Sequence, residues 1–419
     1  MDFQKLLRGK TDCACGRIHN CPIDHVYIGE GAVNALSALT APYHKIILVA
    51  DENTYEAQGN AVERLLAGKI EGELIYPGTT VLVPDEIAID ALQQCVTQDT
   101  DLIVGVGSGV INDICKYVSF CYDLPYFIVA TAPSMDGYAS NGAALILGGM
   151  KISPNAHPPK AILADTRVLK DAPMDMIQAG YGDIMGKLSC LNDWKLAALI
   201  NREYFCDYVY NLTYATVMEL MPLGKKLQQR DPQAVGLLME ALVSVGVAMS
   251  FVGNSRPASG SEHHLSHFFE ITGIVHGRPY LPHGIDVAYS SVVTAMLRQR
   301  LLDEVMCLRK FDPKAWEQNI RSIYGSVAQG VIDLQIKLDS YRVYAENTLR
   351  VDPQQIRACL DEAPSAQEMA DIIGSVGLRF EDFESFYGKQ VIEDAVRWGK
   401  DLKDRYTVLW LYNQFLSVN

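Results

Sequence analysis

Four short apolar runs separated by helical stretches constrain this chain more than any other feature in it. His44-Lys45-Ile46-Ile47-Leu48-Val49-Ala50, Asp101-Leu102-Ile103-Val104-Gly105-Val106, Pro125-Tyr126-Phe127-Ile128-Val129-Ala130 and Ala161-Ile162-Leu163-Ala164 are of strand length and apolar on both faces. Thr54 to Lys69 carries apolar residues at helical spacing, and the stretch after Gly109 reads as a helix. A strand apolar on both faces needs cover on both, and helices between parallel strands supply it. The chain up to Asp165 is therefore expected to form a parallel sheet covered on two sides.

Beyond that point the pattern changes to long amphipathic helices, as in Pro232 to Gly253 and Ile285 to Val305, and strand-like runs do not return. A length of 419 residues accommodates two such domains. With no linker or repeat evident, a ligand is expected in the cleft between them.

Composition limits the partners. Apolar residues make up 49% of the chain and charged ones 21%, which is a folded globular profile. Fifty acidic residues against thirty-six basic ones leave a formal charge of −14, so a basic face for nucleic acid or anionic lipid is not expected. Any anionic ligand must be attracted by local residues. The N-terminal MDFQKLLRGKTDCACG lacks the apolar core of a secretory signal, and no stretch reads as a membrane span. Ten cysteines, most of them single within apolar helical patterns, suit reduced thiols and a cytoplasmic location. Cys13, Cys15, His19 and Cys21 are grouped in one short segment. A zinc ribbon would need a second cysteine pair downstream, and without one the segment reads first as a locally packed loop, with a structural metal as the lesser alternative.

Two constellations carry chemistry. Gly105-Val106-Gly107-Ser108-Gly109-Val110-Ile111-Asn112-Asp113 follows a strand and opens a helix, where glycines let a backbone approach a pyrophosphate and helix N–H groups hold it. The spacing lacks the third glycine of the usual dinucleotide fingerprint, so a tight βα turn is the other reading. Asp51, at the end of the first run, can accept hydrogen bonds from an adenosine ribose, cap a helix, or do both. The second constellation is His263, His264 and His267 followed by His283. Positions 263 and 267 share a helix face, and imidazoles so placed can converge with a loop histidine on one metal ion. Asp183, among the glycines of Ala179-Gly180-Tyr181-Gly182-Asp183, is one carboxylate that could complete the set, though spacing alone does not choose it.

The ordered motifs VADENT (49–54), GVGSGVINDICKY (105–117), TAPSMDGYAS (131–140), ADTRVL (164–169), AGYGDIMGKLSCLNDW (179–194), SRPASGSEHHLSH (255–267) and PHG (282–284) resemble those of the bacterial, AraM-like sn-glycerol-1-phosphate dehydrogenases. These are relatives of the iron-containing alcohol dehydrogenases, glycerol dehydrogenases and dehydroquinate synthases. The resemblance implies an α/β N-terminal Rossmann-like parallel-sheet domain (1–168) that binds the dinucleotide. An all-α C-terminal domain (169–419), dehydroquinate synthase-like, would bind metal and substrate. It implies that Asp183, His263 and His283 hold one divalent metal, zinc, nickel or iron. His267 would touch substrate or relay a proton, with His264 as the competing register.

By the same resemblance Asp136 contacts substrate, and Arg256 and Lys187 take its phosphate. The NAD or NADP cofactor would be lined by Asp51, by Gly107, Ser108, Gly109, Val110, Ile111, Asn112 and Asp113, and by Thr131, Ala132, Pro133, Ser134 and Ser140. The implied reaction is reversible hydride transfer between NAD(P)H and dihydroxyacetone phosphate, giving sn-glycerol 1-phosphate, in a homodimer. A polyol dehydrogenase without a phosphate requirement, a redox-neutral cyclase and a non-catalytic binding protein are the alternatives.

Overall fold

The computed structural model describes residues 1–148, 150–152, 154 and 156–415. Its strands are β1 (His25–Gly29), β2 (Ile46–Asp51), β3 (Ile70–Tyr76), β4 (Leu102–Gly107), β5 (Tyr126–Ala130), β6 (Leu145–Leu147), β7 (Met150–Ile152) and β8 (Ala161–Asp165). Among the described residues, six form one sheet in the order β1-β8-β5-β4-β2-β3, and every pairing in it is parallel; β6 and β7 make a separate antiparallel pair. The four expected runs are the inner strands β2, β4, β5 and β8. The two that sequence patterning passed over, β1 and β3, are the edges.

Ile46, Leu48, Ala50, Val104, Val106, Val129 and Leu163 form a core on the sheet with Val62 and Leu66 from the following helical segment. From β2 the chain steps outward to β3, then returns to the other side of β2 as β4 and continues away. The strand order therefore reverses between β2 and β4, and the crevice outside such a reversal is where doubly wound sheets bind ligands. Val49 pairs with Gly105, so the carboxyl ends of both strands, Asp51 and Gly107, flank that crevice.

Five helices matter for the sites: α1 (Gly109–Cys121), α2 (Met174–Asn201), α3 (Pro232–Val252), α4 (Ser261–His276) and α5 (His283–Asp303). The chain divides into two compact units, one of Met1–Gly180 with Lys226–Asn254 and one of Tyr181–Lys225 with Ser255–Asn419. This differs from the single boundary drawn at 168/169, because α3 belongs with the sheet. Asp231 caps α3 at its start, accepting from Ala234 N at 2.8 Å, and Gly253 ends it at φ +80°. A Cβ on Gly246 would lie 2.7 Å from that of Ala139, so α3 sits hard against the Asp136–Ala139 turn. Its mean hydropathy of 2.0 makes α3 long and apolar enough to cross a membrane, against the expectation that no stretch reads as a span. Here 83% of that stretch is buried, as in a core helix. The second unit is built of helices.

Candidate metal and nucleotide sites

The metal cluster begins with a pair of glycines. Gly182 and Gly186 lie one helical turn apart on α2, so they face the same neighbour. A Cβ on Gly182 would stand 2.4 Å from Gly284 O, and one on Gly186 would stand 2.5 Å from Val287 Cγ1. Only with glycine there can α5 approach α2, and that approach brings His283, the first residue of α5, to Asp183.

Helix α4 supplies the second imidazole. Gly260 precedes it with so little room that a Cβ would lie 2.6 Å from Cys190 Cα, and the buried Asp193 carboxylate accepts from Ser261 N at 2.7 Å. Asp193 is itself held by Arg298 at 2.9 Å, which fixes the start of α4 on α2. His263 then points at Asp183, its Nε2 lying 3.5 Å from Oδ1, while its Nδ1 is 2.7 Å from Glu262 Oε1. A buried carboxylate accepts, so the ring proton sits on Nδ1 and Nε2 presents its lone pair.

One donor atom each from Asp183, His263 and His283 lies within 4.8 Å of the others. Ser266 Oγ, 3.1 Å from His283 Nδ1 and 3.3 Å from His283 O, holds the third ring. Burial would raise the Asp183 carboxyl, but Lys187, His263 and His283 outweigh it and hold the group well below its ordinary range. A buried, ionised carboxylate with two imidazoles fits a divalent transition ion, and three protein donors leave a position open, as in catalytic centres.

His267 completes a triangle of rings, its centroid 6.3 Å from His263 and 5.5 Å from His283. His264 is fully buried, neither ring nitrogen has a hydrogen-bond partner among the described residues, and burial presses its pKa well below the ordinary value. The cluster of donor atoms contains His263 and not His264.

In the sheet unit, Gly105 and Gly107 are explained by contact rather than by handedness. A Cβ would lie 2.9 Å from Cys115 Sγ at the first and 2.6 Å from Ile111 Cγ1 at the second, so both allow α1 to lie close on β4. Ile111 and Asn112 are buried; Ser108, Gly109, Val110 and Asp113 are partly exposed at the helix start, where backbone N–H groups are the offered donors. Thr131 N donates to Gly107 O at 3.1 Å and ties β5 to this loop; Thr131, Ala132 and Pro133 are buried, Ser134 and Asp136 partly exposed. Asp51 caps the turn after β2, accepting from Thr54 N at 2.9 Å with one carboxylate oxygen.

The family model for iron-containing alcohol dehydrogenases matches residues 27–173. A glycerol-1-phosphate dehydrogenase (NAD(P)+) of Halalkalibacterium halodurans is 29% identical, covering 98% of both chains. One from Geobacillus stearothermophilus is 30% identical over 97% of this chain and 96% of its own. The chain belongs to the glycerol-1-phosphate dehydrogenase family. Among solved structures, an iron-containing alcohol dehydrogenase of Thermococcus thioreducens shares the fold with a TM-score of 0.60 at 14% identity, covering 92% of this chain and 96% of that one. Sulfoacetaldehyde reductase from Bifidobacterium kashiwanohense, solved with NAD+, gives 0.59 at 14% identity over 96% and 95%.

Within this member of the glycerol-1-phosphate dehydrogenase family, the two residues expected to grip phosphate have other partners. Lys187 is fully buried, its Nζ donating to Asp183 Oδ1 at 2.6 Å and to Ala258 O at 3.0 Å. Arg256 is buried, forks onto both carboxylate oxygens of Glu203 and donates to Tyr406 O at 3.1 Å. Both are engaged by protein groups in this structure. The partly exposed cations beside them are Lys403, 3.3 Å from Ser259 Oγ, and Arg405, which donates to Ser259 O at 2.9 Å and Ser255 Oγ at 3.1 Å. Burial and the charge of Arg256 press Arg405 down to about 10, so it stays charged at neutral pH in a locally positive setting. No motif signals these two from sequence.

Lys116 was also missed, although it lies inside GVINDICKY. It is fully buried and donates to Gly137 O at 2.7 Å, Gly142 O at 3.0 Å and Ser140 Oγ at 3.2 Å, stapling α1 to the segment that carries Asp136. Ser140, expected at the cofactor, is a buried member of that staple.

Proposed function

We propose that this chain is a metal-dependent, NAD(P)-dependent sn-glycerol-1-phosphate dehydrogenase that reduces dihydroxyacetone phosphate reversibly at C2. The observation that carries the reading is the Asp183–His263–His283 donor set, with Asp183 and His263 buried and His283 half-buried, in a chain matched over nearly its whole length by relatives of that name. In the reducing direction a hydride leaves the dihydronicotinamide for the ketone carbon and a proton goes to the ketone oxygen. When bound, a divalent ion among these donors supplies Lewis-acid stabilisation of the negative charge that develops on that oxygen, worth several kcal/mol.

The chain's own groups do the rest. Glu262 and Ser266 orient the two imidazoles, and His267, beside them, holds the proton that the oxygen needs, an imidazole being a side chain suited to proton transfer near neutrality. The N–H groups opening α1 take the pyrophosphate, and the carboxylate of Asp51 takes the ribose, which favours NAD over NADP because a second anion there is repelled. The family resemblance supports Asp136 as a substrate contact. Lys403 and Arg405 supply the local positive charge that a phosphate needs in a protein of net charge −14. The same resemblance supports a homodimer, and the cysteine usage a cytoplasmic place.

The test is a steady-state assay of NADH and NADPH oxidation with dihydroxyacetone phosphate, after metal removal and reconstitution with zinc, nickel or iron. No turnover with any of the three ions sinks the reading. Equal rates with unphosphorylated dihydroxyacetone would favour the polyol dehydrogenase instead.

A further inference from the structure

The segment before β1 is not used by hydride transfer, yet its geometry is that of a binding loop. Cys13 and Cys15 are half-buried and His19 is buried at 1% exposure. Their sulfur atoms and a ring nitrogen lie within 4.8 Å of one another. His19 Nε2 is 3.3 Å from Cys15 Sγ, and Nδ1 is 2.9 Å from Phe251 O. A carbonyl oxygen can only accept, so the ring proton is on Nδ1 and the lone pair of Nε2 faces the thiols, which is the metal-binding tautomer.

The backbone closes around this group. Gly16, at φ +78°, turns the chain so that its N–H reaches Cys13 O at 3.0 Å, and Lys10 and His19 exchange backbone hydrogen bonds at 2.8 and 2.9 Å. A Cβ on Gly9 would lie 2.0 Å from His19 O, so the neck of the loop is as tight as a chain can make it. Aliphatic packing contributes little to the loop, since Ile18, its one large aliphatic residue, is 67% exposed. Among the described residues no cysteine is in a disulfide.

We propose that Cys13, Cys15 and His19 bind a second metal ion, zinc, which closes this loop in a structural role separate from catalysis. Thiolates and imidazole favour zinc and cobalt over magnesium or calcium, and structural zinc takes four donors, so a further thiolate or a water completes the set. In sequence the pattern Cys-x-Cys-x3-His favours a packed loop over a metal, because no second cysteine pair follows. The fold supplies what spacing lacked by fixing the histidine tautomer through α3.

Cobalt substitution of the full-length protein tests this apart from activity. The Asp183 centre contains no thiolate, so a near-ultraviolet thiolate-to-cobalt charge-transfer band can come only from a cysteine site. The band is expected in the unaltered chain, is expected to persist in the His263→Ala/His283→Ala double variant, and is expected to be lost in Cys13→Ser/Cys15→Ser. Zinc content should fall from two equivalents per chain to one in either double variant. Absence of the band in the unaltered chain overturns the proposal, as does unchanged zinc in the cysteine variant or a Cys13–Cys15 disulfide found by mass spectrometry. If the cysteine variant fails to fold, the spectra of the unaltered chain and the histidine variant still decide.

Discussion

Glu262 Oε1 lies 2.7 Å from His263 Nδ1, and this contact sets which nitrogen of the ring faces Asp183. Glu262 is fully buried, and the same oxygen accepts from Gly260 N at 2.8 Å, so the carboxylate joins the start of α4 to the metal ligand. Glu262→Gln keeps the shape but removes the charge that makes the ring a better donor. Carboxylate partners of metal-bound histidines are worth about 10–100-fold in metal affinity. A loss in that range by competitive chelator titration is expected, and unchanged affinity would show that Glu262 only caps the helix.

Gly182 tests whether the approach of two helices builds the site. Its Cβ would stand 2.4 Å from a backbone oxygen of Gly284, which has no rotamer by which to move aside. Gly182→Ala should push the start of α5, and His283 with it, away from Asp183. Overpacking of this kind costs about 1–3 kcal/mol. The fold survives that, so the loss should fall on metal affinity more than on the melting temperature. Equal losses in both would mean that the contact is merely structural.

Much of this was legible in the chain because burial on both faces leaves a compositional mark. β2, β4, β5 and β8 are inner strands and read as continuous apolar runs, whereas the edges β1 and β3 alternate exposed and partly buried positions and left no such run. His263 and His283 could be singled out by clustering, and Asp183 only by family motif, because it reads as an ordinary acid at a helix start, whereas the structure places it inside α2. What stayed hidden depends on long-range contacts. Arg256 and Lys187 look like phosphate ligands until Glu203 and Asp183 are found beside them, and Lys403 and Arg405 are 144 and 146 residues from the Ser259 that they meet.

Lys403 and Arg405 should therefore govern the phosphate requirement. Replacing either by Ala is expected to raise KM for dihydroxyacetone phosphate by about 10-fold or more, as for loss of a charged hydrogen bond of about 1.5–3 kcal/mol, with little change toward dihydroxyacetone. Arg256→Ala should instead lower stability by about 1–3 kcal/mol, since it strands the Glu203 carboxylate. The reverse pattern, with Arg256 controlling KM and Arg405 controlling stability, would return the phosphate grip to Arg256.

Asp165, at the end of β8, makes the sheet unit sensitive to acid. Burial raises its carboxyl, but hydrogen bonds from Arg167 Nε at 3.0 Å, Arg167 N at 3.1 Å and Gly31 N at 3.1 Å win, and the pKa lies below the ordinary 3.8. A depressed carboxyl contributes stability that is complete above the unfolded value and is lost as pH falls through the folded one. Asp165→Asn should thus be destabilised by about 1–3 kcal/mol at pH 7, and the difference should begin to narrow only below about pH 4 and close as pH falls through the lower folded value. A difference in denaturation midpoint that does not narrow at all as pH falls from about 5 to about 2 would place the effect in packing rather than in charge.

Lys187 and a divalent ion make opposite demands on one carboxylate. Its ammonium is 2.6 Å from Asp183 Oδ1 with both side chains fully buried, so in the metal-stripped protein it is the strongest counter-charge that Asp183 has. Removing one partner of such a pair costs about 3–5 kcal/mol because the other charge is left buried. Lys187→Met should therefore melt well below the unaltered chain after chelation. Added zinc should recover a large part of the difference, since the ion takes over the neutralising role and binds only the folded state. Melting curves with and without zinc check this: if the deficit is the same in both, Asp183 is not where the ion binds.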